Sequence, residues 1–147
     1  MPEKNFAQAL RFTADKCEIF DGGLRVTFAP GKMRDVRWTD VGRVVVRQLP
    51  PDPPWNAVVL LDVVALVDGA RWEPVRIFAT TFVNYAALPE GASTSRLENV
   101  RNLARFLRDR NPAVALDPET TAFMDGTGVP ARFGNMTQFA EYDSGYR

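Results

Sequence analysis

The chain has 147 residues, 46% of them hydrophobic and 24% charged, with 18 basic side chains against 18 acidic. That is one domain of ordinary globular composition, so neither wholesale disorder nor a general affinity for nucleic acid is expected. Histidine is absent and Cys17 is the only cysteine, which excludes histidine-dependent triads and any intrachain disulfide.

The opening "MPEKNFAQALRF" has no apolar run of signal-peptide kind, and no stretch approaches the ~20 apolar residues of a membrane span. A cytoplasmic protein without a membrane span is expected. "CEIFDGGLRVTF" places Asp21-Gly22-Gly23 between two β-prone runs, a hairpin signal resting on glycine's tolerance of positive φ. Leu24, Val26 and Phe28 alternate with Arg25 and Thr27, as in a half-buried strand. After a Pro30-Gly31 turn, "VRWTDVGRVVVRQL" predicts a bend or bulge at Asp40 and Gly42 and a strand over Gly42–Leu49. The next segment, Ala57–Val67, is apolar on both faces except for Asp62, which predicts a central covered strand. Asp68-Gly69 turns the chain into "RWEPVRIFATTFVNY", one or two strands with Pro74 at an edge or bulge.

A helical pattern starts at Ser93. Ser95 and Glu98 have capping-box spacing. Leu97, Val100, Leu103, Ala104 and Leu107, widened by Phe106, form an apolar stripe, and Asn111-Pro112 stops the helix. A second, short helix is predicted near 118–125, with Asp117 as cap, Pro118 in the first position and Gly126 at the end. From Thr127 the chain is Gly-containing and polar, with Phe133, Phe139, Tyr142 and Tyr146 spaced along it. A strand run followed by a helix is an α+β order. The expectation is a strongly bent antiparallel sheet or partly open β-barrel of about six or seven strands, closed by one C-terminal amphipathic helix.

"LRVTF", "VRWTDVGRVVVRQL", "VVALVDG…PVRIF" and "SRLENVRNLARFLRDR", in that order, resemble the pleckstrin-homology-like (PH-like) fold of small bacterial domains. The resemblance spans 17–110 as the core of a single domain 1–147, leaving 111–147 as a C-terminal extension. It implies a non-enzymatic interaction or scaffold module with no cofactor, whose partner is another protein or a second copy of the chain. Lipid-binding members of the family hold phosphoinositide with a basic hairpin motif. The nearest counterpart here is "GKMRDVR", with Lys32, Arg34 and Arg37.

Several residues are candidates for chemistry or binding. Lys32, Arg34 and Arg37, with Arg25 beside them, form a candidate anion or lipid-headgroup patch, against the plainer reading of a charged, soluble hairpin edge. Arg101, Arg105 and Arg108 lie opposite the helix stripe, as a wet face or as a dock for a partner or for the acid-rich 111–147 segment. "RQLPPDPP" fits an arginine-led proline pattern that SH3 domains grip, but a stiff loop over Pro50–Pro54 is preferred, with Trp55 turned back onto the sheet. A three-residue turn over Asp68–Ala70 sets Arg76 opposite Asp62, so the carboxylate in the apolar strand is read as half of a cross-strand ion pair. Cys17 is read as a small buried residue. Without histidine and with one cysteine a zinc site is nearly excluded, whereas a carboxylate-only Mg²⁺ or Ca²⁺ site stays open.

Overall fold

The computed structural model describes residues 12–29, 31–50, 58–126 and 128–144. Strands β1 (Ala14–Phe20), β2 (Gly23–Phe28) and β3 (Lys32–Arg37) form one antiparallel meander. Strands β4 (Val41–Leu49), β5 (Val58–Val67) and β6 (Arg71–Phe78) form a second. A two-residue parallel strand extends each: β7 (Phe82–Val83) beside β1, and β8 (Ala115–Leu116) beside β4. The chain is therefore α+β, but in place of one bent antiparallel sheet there are two mixed four-stranded sheets, ordered β3-β2-β1-β7 and β6-β5-β4-β8. Three helices are described: α1 (Arg96–Arg110), α2 (Pro118–Asp125) and α3 (Met136–Ser144).

The split into two sheets is made at one corner. After β3, Trp38–Asp40 winds into a short 3₁₀ turn, so β4 leaves the first sheet instead of pairing with β3. The Trp38 indole N–H donates to the Asp21 carbonyl at 2.8 Å, and the Asn111 amide donates to the carbonyls of Trp38 and Val41. Next to the corner the β4–β5 register shifts between Val41 and Arg43, the bulge that Gly42 signals. A Cβ on Gly42 would lie 2.4 Å from the Trp72 ring, so glycine is there to let that ring cross the sheet. Gly23 is needed for a related reason: its Cβ would overlap the Val36 carbonyl oxygen. Neither Gly22 nor Gly23 has positive φ, which corrects the reason given for that hairpin. Positive φ is used instead at Gly31 and in the β5–β6 turn at Asp68 and Gly69.

One core lies between the sheets. Cys17, Leu24, Val26 and Val36 meet Val44, Val46, Leu61, Val63 and Ile77, and α1 covers them with Val100, Leu103, Ala104 and Leu107. The helix starts as the sequence indicates, with the Glu98 N–H donating to Ser95 Oγ at 3.2 Å. Only half of the capping box forms, because the Glu98 carboxylate takes Arg101 instead. The Asp117 cap, Pro118 and the end at Gly126 stand as expected for α2. Among the described residues no helix is long and apolar enough to cross a membrane.

The helix α3 is absent from the sequence reading. Asn135 caps it, its Oδ1 accepting from the Gln138 N–H at 2.9 Å, and the Gln138 side chain accepts from the Gly134 N–H. Just before it, 130–133 runs beside the end of β4, where the Gln48 N–H donates to the Ala131 carbonyl and the Phe133 N–H to the Gln48 carbonyl. The helix then lies over the outer face of the second sheet. There Phe139 packs with Leu49, Leu60 and Phe78, flanked by Phe133, Met136 and Tyr142. The aromatic residues Phe133, Phe139 and Tyr142 thus cover their own domain, whereas Tyr146 lies outside the described residues.

Candidate functional site: a cleft along an edge strand

Strand alternation divides the basic residues of the β2–β3 hairpin. Lys32 and Arg34 share the inward-turned face of β3 with buried Val36, while Arg37 takes the other face with Met33 and Asp35. On that outer face Arg25 forks onto Asp35 at 2.9 and 3.2 Å, and Arg37 bonds Asp40 at 3.0 Å. The four cations therefore do not form one patch. Lys32 and Arg34 instead line a cleft of about 500 Å³ between the β2–β3 hairpin and the β5–β6 turn.

Phe12, Phe28, Leu66, Val67 and Pro74 supply the apolar part of the lining; Lys32, Arg34, Arg71, Asp35, Asp40, Asp68 and Glu73 supply the charges. Most of these charges have partners on the protein. Arg71 is bonded to Glu73 at 2.6 Å, and Asp35 and Asp40 belong to Arg25 and Arg37. Arg34 is half-buried, and burial lowers its pKa. Among the described residues its guanidinium makes one hydrogen bond, a long one of 3.4 Å to the Ala65 carbonyl.

The helix arginines have another use. Arg101 donates to the Phe123 carbonyl at 2.9 Å and to the Gly128 carbonyl, Arg105 to the Met124 carbonyl at 2.6 Å, and Arg108 pairs with Asp125 at 3.2 Å. Three successive turns of α1 thus hold the last turn of α2, whose carbonyls lack intrahelical donors and carry the negative end of the helix dipole. Arg101 is buried, not wet. The dock for the C-terminal extension is built, and it is intramolecular.

Arg47 is also committed. It pairs with Asp117 and Glu119 and donates to Thr120 Oγ1 at 3.1 Å, all in the first turn of α2. Burial opposes ionisation of Asp117, but bonds from Arg47 and Thr120 outweigh it and hold the carboxyl below its ordinary range. Arg47 is not available to lead a proline docking peptide. The prolines Pro51, Pro53 and Pro54, with Trp55, lie outside the described residues.

The predicted Asp62–Arg76 pair stands opposite in the β5–β6 register, with Val67 opposite Arg71. Arg76 forks onto both Asp62 oxygens at 2.9 Å, and its Nη2 also reaches Asp143 at 2.9 Å. The Tyr142 hydroxyl donates to Asp62 at 2.7 Å. All three charged side chains are fully buried. Burial disfavours the guanidinium charge, and Asp62 and Asp143 more than restore it. Asp143 was missed in the sequence, although Asn135 and Gln138 have capping spacing and place Phe139, Tyr142 and Asp143 on one helical face.

No family model, curated protein or solved structure matches the chain. Among the described residues no group of three or more His, Cys, Asp or Glu is placed to hold a metal ion. Burial pushes the Cys17 thiol up to about 12, far from nucleophilic range.

Proposed function

We propose that the protein is a non-enzymatic interaction module on a PH-like plan, and that a protein partner docks in the cleft between its sheets. The cleft carries this reading. It is concave, joins an apolar lining to a few charged groups, and stands at the open end of two packed sheets. The plan is supported by the order of two antiparallel meanders followed by a capped amphipathic helix on their shared core. Selection of linear peptides from a displayed random library tests it. Enriched peptides should bind the wild type and lose binding to Met33→Glu, an exposed change at the cleft wall. Absence of enrichment, or peptides indifferent to Met33→Glu, would end the reading.

A second reading is binding of an anion or a phosphoinositide headgroup by Lys32 and Arg34, with Arg37 alongside. It is favoured by the fact that neither Lys32 nor Arg34 is ion-paired among the described residues, and opposed by the turning away of Arg37. Co-sedimentation with phosphoinositide-containing vesicles decides it: salt-sensitive binding lost in Lys32→Glu sustains the reading, and no binding removes it.

A further inference from the structure

The cleft has a feature that a pocket above a sheet face does not have. Four consecutive residues of β3, Lys32 to Asp35, line it. Successive strand residues point to opposite faces, so four in a row border one space only where that space lies along the strand's edge. Among the described residues this edge is unpaired: β3 is the outermost strand of its sheet, its one ladder is to β2, and no backbone bond joins it to the second sheet. The other sheet edges are poorer templates. β7 and β8 have two residues each, and β6 carries Pro74 and is bordered by Phe12 and Thr13.

An unpaired strand edge with a groove beside it accepts an extended chain as one more strand. The charges of β3 select which chain. A second copy pairing antiparallel about a two-fold axis must set residues of the same face opposite each other. In the three central registers that places Lys32 against Arg34, Arg34 against Arg34, or Asp35 against Asp35, like charge against like each time. The strand is thus guarded against itself. Among the cleft residues Asp35 is held by Arg25, Asp40 by Arg37 and Glu73 by Arg71. Among the described residues Lys32 and Arg34 therefore share one face with no carboxylate in ion-pair contact, although Glu73, Asp40 and Asp68 stand near enough to favour the Arg34 charge. Asp68, at the far rim, is the one cleft carboxylate without an ion pair among the described residues.

We propose that the partner is an extended peptide segment that adds as a strand along the edge of β3. Its acidic side chains at two alternate positions face Lys32 and Arg34. This rests on the reading of the cleft as a docking site and supplies its mode and its charge pattern.

The probe is a short synthetic peptide of alternating glutamate and threonine, titrated at millimolar concentration into the full chain labelled for amide NMR. Shifts should concentrate in Lys32–Arg37 and the cleft lining. Replacing each glutamate by lysine should weaken binding roughly tenfold, because two cross-strand pairs change from attraction to repulsion. Lys32→Glu, alone or with Arg34→Glu, should move the preference toward the lysine peptide. Lys32 is exposed, so the single variant keeps the test open if the double one misfolds. N-methylation of the peptide amides should abolish binding at every second residue and leave the others unaffected, the signature of a strand bonded along one side. A flat N-methylation profile, equal binding of both peptides, or shifts away from β3 overturns strand addition and leaves the display selection to judge docking itself. So does binding to phosphoinositide vesicles with no response to the peptide.

Discussion

Each sheet carries an arginine–aspartate fork on its outer face, and the two forks have nearly the same geometry. In the first sheet Arg25 Nε and Nη2 lie 2.9 and 3.2 Å from the Asp35 oxygens; in the second, both Arg76–Asp62 distances are 2.9 Å. Both pairs stand directly opposite on neighbouring antiparallel strands. The difference is the cover. Over Arg25 and Asp35 there is no helix among the described residues, only the Phe20 ring 5.4 Å from the Arg25 guanidinium, and the side chains are about half exposed, 46% and 52%, while α3 closes over Arg76 and Asp62 and leaves them at 0%. Register brings the partners together in both places, and the burial decides what each pair is worth. In water a fork competes with solvent and salt. Under α3 each charge depends on the other, because neither has a solvent shell to fall back on.

The largest effect is expected at the covered fork. Asp62→Ala breaks both bonds of the fork to the buried Arg76 and the bond from the Tyr142 hydroxyl, for a loss of about 4 kcal/mol in urea unfolding. If the equivalent change at Asp35 cost as much, the distinction drawn from cover would fail. Removing the cover should come next. Phe139 is fully buried against Leu49, Leu60 and Phe78, with Arg76 stacked 5.0 Å from its ring centre. Phe139→Ala should cost about 3 kcal/mol through the cavity it leaves. The amide of Arg76, which donates to the Phe12 carbonyl, should then exchange hydrogen faster than amides in the first sheet.

The same two regions mark what can be read from the letters. The Asp62–Arg76 pair is legible because Asp68-Gly69 fixes a turn, and a fixed turn sets every cross-strand neighbour behind it. The division of Lys32, Arg34, Arg25 and Arg37 between two faces is legible by the same alternation, although the spacing of the basic residues alone suggests a single patch. The separation into two sheets is not legible. It depends on the Trp38 corner, held by Asn111 from more than seventy positions away, and local pattern carries no such information. The roles of Arg101 and Arg105 are hidden for a like reason. Their acceptors are backbone carbonyls of α2, and every residue has a carbonyl. The missed helix α3 is weak by pattern, and it is held by the sheet face it covers more than by its own propensity.

A smaller effect should appear at high pH, and it tests the core shared by both sheets. Burial raises Cys17 from its ordinary value of 9.0 to about 12, and burial followed by the nearby Cys17 raises Tyr85 from 10.0 to about 12. Both groups are neutral when protonated, and the folded state holds those protons more tightly than the unfolded one. Their contribution is therefore complete below pH 9 and declines as pH rises toward 12. Cys17→Ala and Tyr85→Phe should each flatten that decline in unfolding curves taken across the range. Near neutrality Tyr85→Phe should be harmless or stabilise by about 1 kcal/mol, since its hydroxyl is buried with no hydrogen-bond partner among the described residues.

The smallest effect should be at the uncovered fork, where the comparison is sharpest. Arg25 and Asp35 hold each other's ionised form, and the Asp35 carboxyl sits below its ordinary range chiefly because Arg25 bonds it. Any stability the pair adds is present above the pKa of an unfolded aspartate and is lost as pH falls through the lower folded value. Both groups lie open to solvent, so mobile ions compete at every pH. A double-mutant cycle with Arg25→Ala and Asp35→Ala, run at low and high salt, separates pairing from surroundings. The expected coupling is small at low salt and absent at high salt, with the urea midpoint barely moved by either single change. Coupling that persists in high salt would mean that the first sheet's outer face is covered in solution as the second one is, and that the two faces differ only in what does the covering.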